Sequence, residues 1–302
     1  MLLAVPVALA VTAACSSKRT DPDRSATRTP GTPAADVASI ITPDVIGVAR
    51  IDAARAPIVD VVDDLLLDGT PACWTELVGR MTATYQLDRP GTGSYFAFQG
   101  PLDREEVERC VTSAFGESIP GFAIRRAGED VVFDLGAPLG AVHTLWMPGL
   151  VVAGSREQIA HVRAAADART RDAWRSRLAK LPAGPFVSWR SDAMLARLLG
   201  VPTVGYVMAF DRLGGPSNPG FAGRVIAEYA TAEDAATAAG RVQRGETHLE
   251  APPPPEVLAA LKGLSVTQRD AHVTVELDSA KFENIDGAVL QRWLGDLEAH
   301  AR

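Results

Sequence analysis

The chain of 302 residues carries 30 Lys and Arg against 37 Asp and Glu, a formal net charge of −7, and 47 % of it is hydrophobic. An acidic chain with no basic stripe is a poor match for a phosphate backbone, so nucleic acid is excluded from the expected partners. That hydrophobic fraction can build a real core, and the length beyond residue 35 suits two domains better than one.

Residues 2–14 (LLAVPVALAVTAA) are an apolar run of mostly small and branched residues, followed at once by Cys15 and a polar stretch. A bilayer-spanning helix needs roughly 17–25 residues, whereas the core of a signal peptide needs about 7–15 and ends in small residues. Ala13-Ala14-Cys15 resembles the lipobox of bacterial lipoproteins, with Thr12 where that motif favours Leu and no Lys or Arg ahead of the run. The resemblance implies that residues 1–14 are a signal peptide and that Cys15 carries the lipid. It also implies an address in the cell envelope, on the outer membrane or the outer face of the plasma membrane, facing the periplasm or the exterior. The missing basic residues point to a start upstream of Met1. Residues 16–35 contain no Val, Ile, Leu, Met, Phe, Trp or Tyr. Too little apolar surface is available there to offset ordering, so residues 15–35 are expected to be a disordered tether with a reach of roughly 25 Å.

Of the three cysteines, Cys73 and Cys110 remain once Cys15 is lipidated. In an exported protein such an even pair is expected to form a disulfide.

The body begins with a strand over residues 45–51. Asp52 is expected to cap a helix whose apolar positions Ile58, Val61, Val62, Leu65 and Leu66 recur at helical spacing. Its Asp60, Asp63, Asp64 and Asp68 lack the alternation and central glycine of a calcium loop and read as a solvated face. A helix from Cys73 to about residue 81 leads into a hairpin, 82–87 with 94–99, turned at Pro90-Gly91. Asp103 then starts a helix with acids in its first turn, as the helix dipole prefers. Two further hairpins follow, 121–125 with 131–135 and 143–147 with 150–153, and Ser155 caps a closing helix to about residue 168.

The second half repeats this plan. A strand at 186–189 and a helix MLARLL precede a strand at 204–210. A loop over 214–220 leads to a strand at 223–229, a helix from Thr231 to about residue 243 and a short helix at 256–262. A last hairpin, 264–268 with 272–277, and a terminal helix near 285–300 complete the chain. Leu87-Asp88-Arg89 matches Phe210-Asp211-Arg212 at the same hairpin of each half. The expected fold is therefore α+β, two similar halves from an internal duplication, each a mainly antiparallel sheet with helices on one face. The expected domains span residues 36–170 and 171–302, with a helical connector near 169–180.

No Gly-x-Ser-x-Gly, His-Glu-x-x-His, Walker loop or dinucleotide fingerprint occurs. Ser155 follows Gly154 at a strand-to-helix junction, but helix capping accounts for it. His143, His161, His248, His272 and His300 are scattered without ligand spacing, and Asp103, Glu105 and Glu106 are ordinary first-turn acids. No metal, cofactor or catalytic residue is expected. The candidate contact surface is a pair of equivalent loops, Arg89, Pro90, Gly91 and Gly93 in one half and Ser217, Asn218 and Pro219 in the other, since exposed Pro/Gly turns often carry binding function.

Taken as a whole, an Ala/Arg-rich chain with a lipobox and tether resembles uncharacterised envelope lipoproteins of GC-rich bacteria. The expected function is that of a non-enzymatic, lipid-anchored envelope protein that binds a protein partner or assists an envelope assembly. The alternatives are a small-molecule or lipid-binding lipoprotein that uses the cleft between the halves, and an unrecognised hydrolase.

Overall fold

The computed structural model describes residues 35–52 and 72–281, apart from 92, 117–118, 128–129, 137–139, 165–167, 192–193, 216–217 and 247–253, together with residues 285 and 289. Cys15, nearly all of the tether, the helix expected after Asp52 with its four aspartates, and the expected terminal helix lie outside the described residues. Ser217 does so as well.

Among the described residues the fold is α+β with antiparallel strand pairing. The chain divides into two compact units, Met1–Lys180 with Gly215–Asn218, and Leu181–Gly214 with Pro219–Arg302. The first unit holds a 3-10 turn, Val37–Ile40, then β1 (Gly47–Asp52), α1 (Ala72–Arg80), β2 (Ala83–Arg89), β3 (Gly93–Gln99), α2 (Arg104–Phe115), β4 (Ala123–Ala127), β5 (Asp130–Asp134), β6 (Ala141–Met147), β7 (Leu150–Gly154), α3 (Arg156–Ala164) and α4 (Ala168–Ala179). Its strands lie in the order β1-β2-β3-β7-β6-β5-β4. The second holds β8 (Phe186–Arg190), α5 (Met194–Leu199), β9 (Thr203–Gly215), β10 (Asn218–Tyr229), α6 (Ala232–Arg244), α7 (Pro255–Lys262), β11 (Ser265–Arg269) and β12 (His272–Asp278), with strands ordered β8-β9-β10-β12-β11.

Strand alternation decides which side chains enter the core. Along β2, Ala83, Tyr85, Leu87 and Arg89 are buried while the residues between them are half-buried, the period of two that a pleated strand imposes. Tyr95 on β3 is fully buried, and its hydroxyl donates to the Ile40 carbonyl at 2.8 Å. That bond ties the 3-10 turn to the sheet. At the far end of the first unit Val111, Val131 and Phe133 form a second core under α2.

Helix ends follow local chemistry. Asp103 caps α2 by accepting from the Glu106 amide at 3.0 Å. The α6 cap is Thr231, which accepts from the Asp234 amide at 3.0 Å, and Gly245 ends that helix in the left-handed region at φ 65°. At α3, Ser155 and Gln158 form a reciprocal capping box. The Gln158 amide donates to Ser155 Oγ at 3.2 Å, and the Ser155 amide donates to Gln158 Oε1 at 2.7 Å.

Three expectations need correction. The segment expected as a loop over 214–220 is largely strand: β9 runs on to Gly215 and β10 starts at Asn218, so Asn218 and Pro219 sit at the start of a strand. Strand structure overrides the turn signal of the Pro/Gly cluster there, since local propensity yields to sheet context. The helix expected as a connector, α4, packs within the first unit. Arg175 on it donates to Asp36 Oδ2 at 2.8 Å, next to the 3-10 turn. Asp211 and Arg212 lie inside β9 instead of at its end.

Candidate functional site: an apolar cavity in the second unit

The second unit is built around a floor of two paired strands. Val225, Ala227 and Tyr229 alternate along β10, and Val273, Val275 and Leu277 alternate along β12. The register sets Ala227 opposite Val273 and Val225 opposite Val275, while the Tyr229 amide donates to the Ala271 carbonyl. Cross-strand neighbours on one face stand within side-chain contact, so these residues make one continuous apolar surface.

Helix α6 lies over that surface. Its buried positions are Ala235, Ala238 and Ala239, spaced three and four apart and therefore on one face. Alanines fill little volume. Leu195, Leu198 and Leu199 of α5, Val242 of α6 and Leu261 of α7 line its other sides. What remains is a cavity of about 180 Å³. Gly245 also lines it. A Cβ at that position would stand 2.6 Å from Leu258 Cδ1, and φ there is +65°, so glycine is needed on both counts.

Among the described residues the lining is apolar with two exceptions. Glu246 carries the charge; it accepts from Arg244 Nε at 2.6 Å and from Arg244 Nη2 at 2.8 Å, and both side chains are more than half exposed. Tyr229 is 2 % exposed, and its hydroxyl is buried with no hydrogen-bond partner among the described residues. Burial alone pushes its phenol up to about 12. One wall is pinned by Arg241, whose Nη1 donates to the Leu199 carbonyl at the end of α5.

The first unit is held by a different set of groups. Cys73 on α1 and Cys110 on α2 are joined by a disulfide with Cα atoms 5.6 Å apart. Arg80 on α1 forms a two-pronged pair with Glu106 on α2, one bond at 2.7 Å. The Arg80 guanidinium holds the Glu106 carboxyl below its usual range, so the first-turn acids serve as cap and ion pair. Ser155 Oγ is engaged as a cap acceptor. His143 lies on β6 opposite Gly154, with its pKa lowered first by burial and then by Arg156 and Arg125. Among the described residues, no group of three or more His, Cys, Asp and Glu is placed to hold a metal ion. Among the same residues, no helix is long and apolar enough to cross a membrane.

The candidate contact loops fare unevenly. Pro90, Gly91 and Gly93 are exposed at the β2–β3 turn, and Gly91 and Gly93 adopt φ of 77° and 76°. Arg89 is not part of that surface. It is 7 % exposed; its Nε donates to Asp44 Oδ2 at 2.8 Å and its Nη2 donates to the same oxygen. The strand period turns Arg89 inward with Leu87, where burial requires a carboxylate partner. That partner, Asp44, also accepts from Thr42 Oγ1 at 2.5 Å, and the Arg89 bonds lower its pKa to about 2. Arg89 was expected in an exposed contact loop; it lies instead in a half-buried ion pair with Asp44.

No family model matches the chain, and no curated protein matches it. It is similar in structure to TP0453. In crystal form I of that protein the match has a TM-score of 0.49 at 7 % identity and covers 83 % of this chain and 95 % of that one. In crystal form III the figures are 0.48, 7 %, 80 % and 94 %, and in form IV 0.46, 8 %, 80 % and 92 %.

The cavity escaped sequence reasoning because its parts lie on five elements scattered over residues 195–277. One signal was available: the alternations Val225-x-Ala227-x-Tyr229 and Val273-x-Val275-x-Leu277, beside a helix whose inner face is alanine.

Proposed function

We propose that the chain is a lipid-anchored envelope protein, held at the membrane through Cys15, whose second unit binds a compact apolar small molecule. The observation that carries this reading is the cavity itself. An engineered cavity of about 150 Å³ lined by Leu, Ile and Phe stays dry and takes up benzene. A space of about 180 Å³ lined by Leu198, Val225, Val242 and Leu277 has the size and chemistry for a ring or chain of that order. Small-molecule sites are concave and mostly apolar, and the leucines and valines of this lining fit that pattern. The binding is non-enzymatic in this reading, and the anchor would keep the site beside a membrane surface.

The reading includes an internal duplication, supported by strand order. Omitting the β4–β5 hairpin from the first unit leaves β1-β2-β3-β7-β6, which parallels β8-β9-β10-β12-β11 in the second. The first copy carries the disulfide and the second, with Ala238 near the position of Cys110, carries the cavity.

The test is occupancy. Ethylbenzene added to the uniformly 15N-labelled chain should shift amide resonances of α5, α6, β10 and β12. Val242→Phe, which fills the space from α6, should abolish those shifts while the rest of the spectrum stays that of a folded protein. Shifts confined to other parts of the chain, or unchanged in Val242→Phe, refute the proposal.

A further inference from the structure

We propose that the cavity takes a single-chain amphiphile tail first, burying about six carbons and leaving the polar head of the same molecule in water beside Leu277. This rests on the cavity's being a ligand site, as set out above, and adds the ligand's class and its direction of entry.

The two floor strands change in burial from one end to the other. Ala227 and Val273 face each other in the register and are 3 % and 2 % exposed; Tyr229, one step further along the same face of β10, is 2 % exposed. Val225 and Val275 form the next facing pair and are only half-buried, as is Leu277 beyond them. Helix α6 follows the same gradient. It starts at Ala232, just past the end of β10, and its Ala235, Ala238 and Ala239 are buried in one cluster with Ala227, Tyr229 and Val273. Val242, one turn further on, is partly buried. The cavity is therefore closed at its Tyr229 end and accessible at its Leu277 end.

The chemistry changes along the same line. Ser265 pairs with Glu276, which sets Leu264 beside Leu277. A Cβ on Gly245 would stand 3.1 Å from Lys262 Cγ, so the end of α6 meets the end of α7 just ahead of Leu264. Glu246, Lys262 and Asp278 are exposed at this end. Their charges are of both signs, so a head group left among them keeps its hydration without depending on one ion pair. At the closed end the walls are the methyl groups of Ala227 and Val273 and the ring of Tyr229, where a polar head would lose its water. One orientation satisfies both ends: hydrocarbon inward, head outward. At about 30 Å³ for a water-sized group, a space of about 180 Å³ holds roughly six carbons in a row.

The experiment titrates the 15N,13C-labelled full chain with butan-1-ol, hexan-1-ol and octan-1-ol and records contacts between ligand protons and valine and leucine methyls. Affinity should rise about fourfold per methylene from butan-1-ol to hexan-1-ol, then change by less than about fourfold on going to octan-1-ol, whose extra methylenes stay at the mouth. The chain-terminal methyl should touch Val273, and the methylene bearing the hydroxyl should touch Leu277. Ala227→Val adds two methyl-sized groups' worth of bulk near the closed end and should bring the levelling-off to about four carbons. The reverse contacts overturn the inference while leaving the cavity reading intact. So does octan-1-ol binding tenfold more weakly than hexan-1-ol, which marks a space closed at both ends, or a steady fourfold gain through octan-1-ol. Binding of ethylbenzene but of no alkanol overturns the inference alone, and binding of neither overturns both. The wild-type series and its contacts decide by themselves should Ala227→Val fold poorly.

Discussion

Replacing both Cys73 and Cys110 by alanine should destabilise the first unit by about 4 kcal/mol. The two residues are 37 apart in sequence, and closing a loop of that length removes entropy from the unfolded chain worth roughly 4 kcal/mol at 25 °C in the loop-closure treatment. Alanine is the right replacement, because Cys110 is 1 % exposed and serine would add an unsatisfied hydroxyl. The loss should not be offset by other contacts between the same helices. The Arg80–Glu106 pair also bridges α1 and α2, but it is open to water, and ion pairs so exposed contribute little. Urea unfolding followed by circular dichroism measures the effect. With a slope of roughly 2 kcal/mol/M, the midpoint of the first unit's transition should fall by about 2 M. The oxidised wild type in reductant should approach the double variant. A fall of less than about 0.5 M would show that α1 and α2 are already confined in the unfolded ensemble, and would refute the entropic reasoning.

Three further outcomes follow from the geometry. Asp44→Asn leaves the Arg89 guanidinium buried without its counter-charge. Asp44 itself is 48 % exposed, so the cost should be at the low end for a broken pair, about 1–2 kcal/mol by thermal melting; no change would mean water already satisfies Arg89. Because the folded Asp44 carboxyl titrates near 2, below its ordinary 3.8, the stability from this pair is present above about pH 4 and is lost as pH falls toward 2, a loss that Asp44→Asn should not show. His143 has its folded pKa depressed below 6.5, so the unfolded chain takes up its proton first and stability should decline as pH drops below 6.5. His143→Gln should flatten that decline in urea titrations at pH 7 and pH 5.5, and an unaltered slope would remove His143 from the account. Gly245→Ala, at φ +65° with Leu258 Cδ1 2.6 Å from the new methyl, should cost more than about 1 kcal/mol and weaken ethylbenzene binding; a neutral result would mean that the C-terminal end of α6 readily repacks.

Much of the secondary structure was legible because its signals are local. Apolar alternation marks β2 and β12, and short apolar runs beside Pro/Gly turns mark β3 and β7. Thr231, Asp103 and Ser155 each stood just ahead of an amphipathic run, and each caps its helix. The pairing of Cys73 with Cys110 followed from cysteine arithmetic joined to the expectation of export. The failures were cases where tertiary pairing outweighed local preference. The Pro/Gly cluster at 214–220 read as a loop, yet two long strands carry their ladder through most of it. Arg89 read as a turn residue, but its place in the alternation with Leu87 turned it inward onto Asp44, a residue 45 positions away. The cavity was the least legible feature of all. A sequence records which residues are apolar, whereas a void depends on how far three helices stand from a sheet, and that distance is set by packing across elements distant in the chain.

The account turns on whether the cavity of the second unit is filled in the cell. The most direct measurement is to purify the full-length chain and its Val242→Phe variant from native envelopes under mild detergent, extract each with organic solvent and compare the extracts by mass spectrometry. The account predicts a compact apolar molecule, near stoichiometric with the wild type and depleted from Val242→Phe. Identical extracts from the two proteins, or a wild type that carries no small molecule and takes up no ethylbenzene, would contradict it.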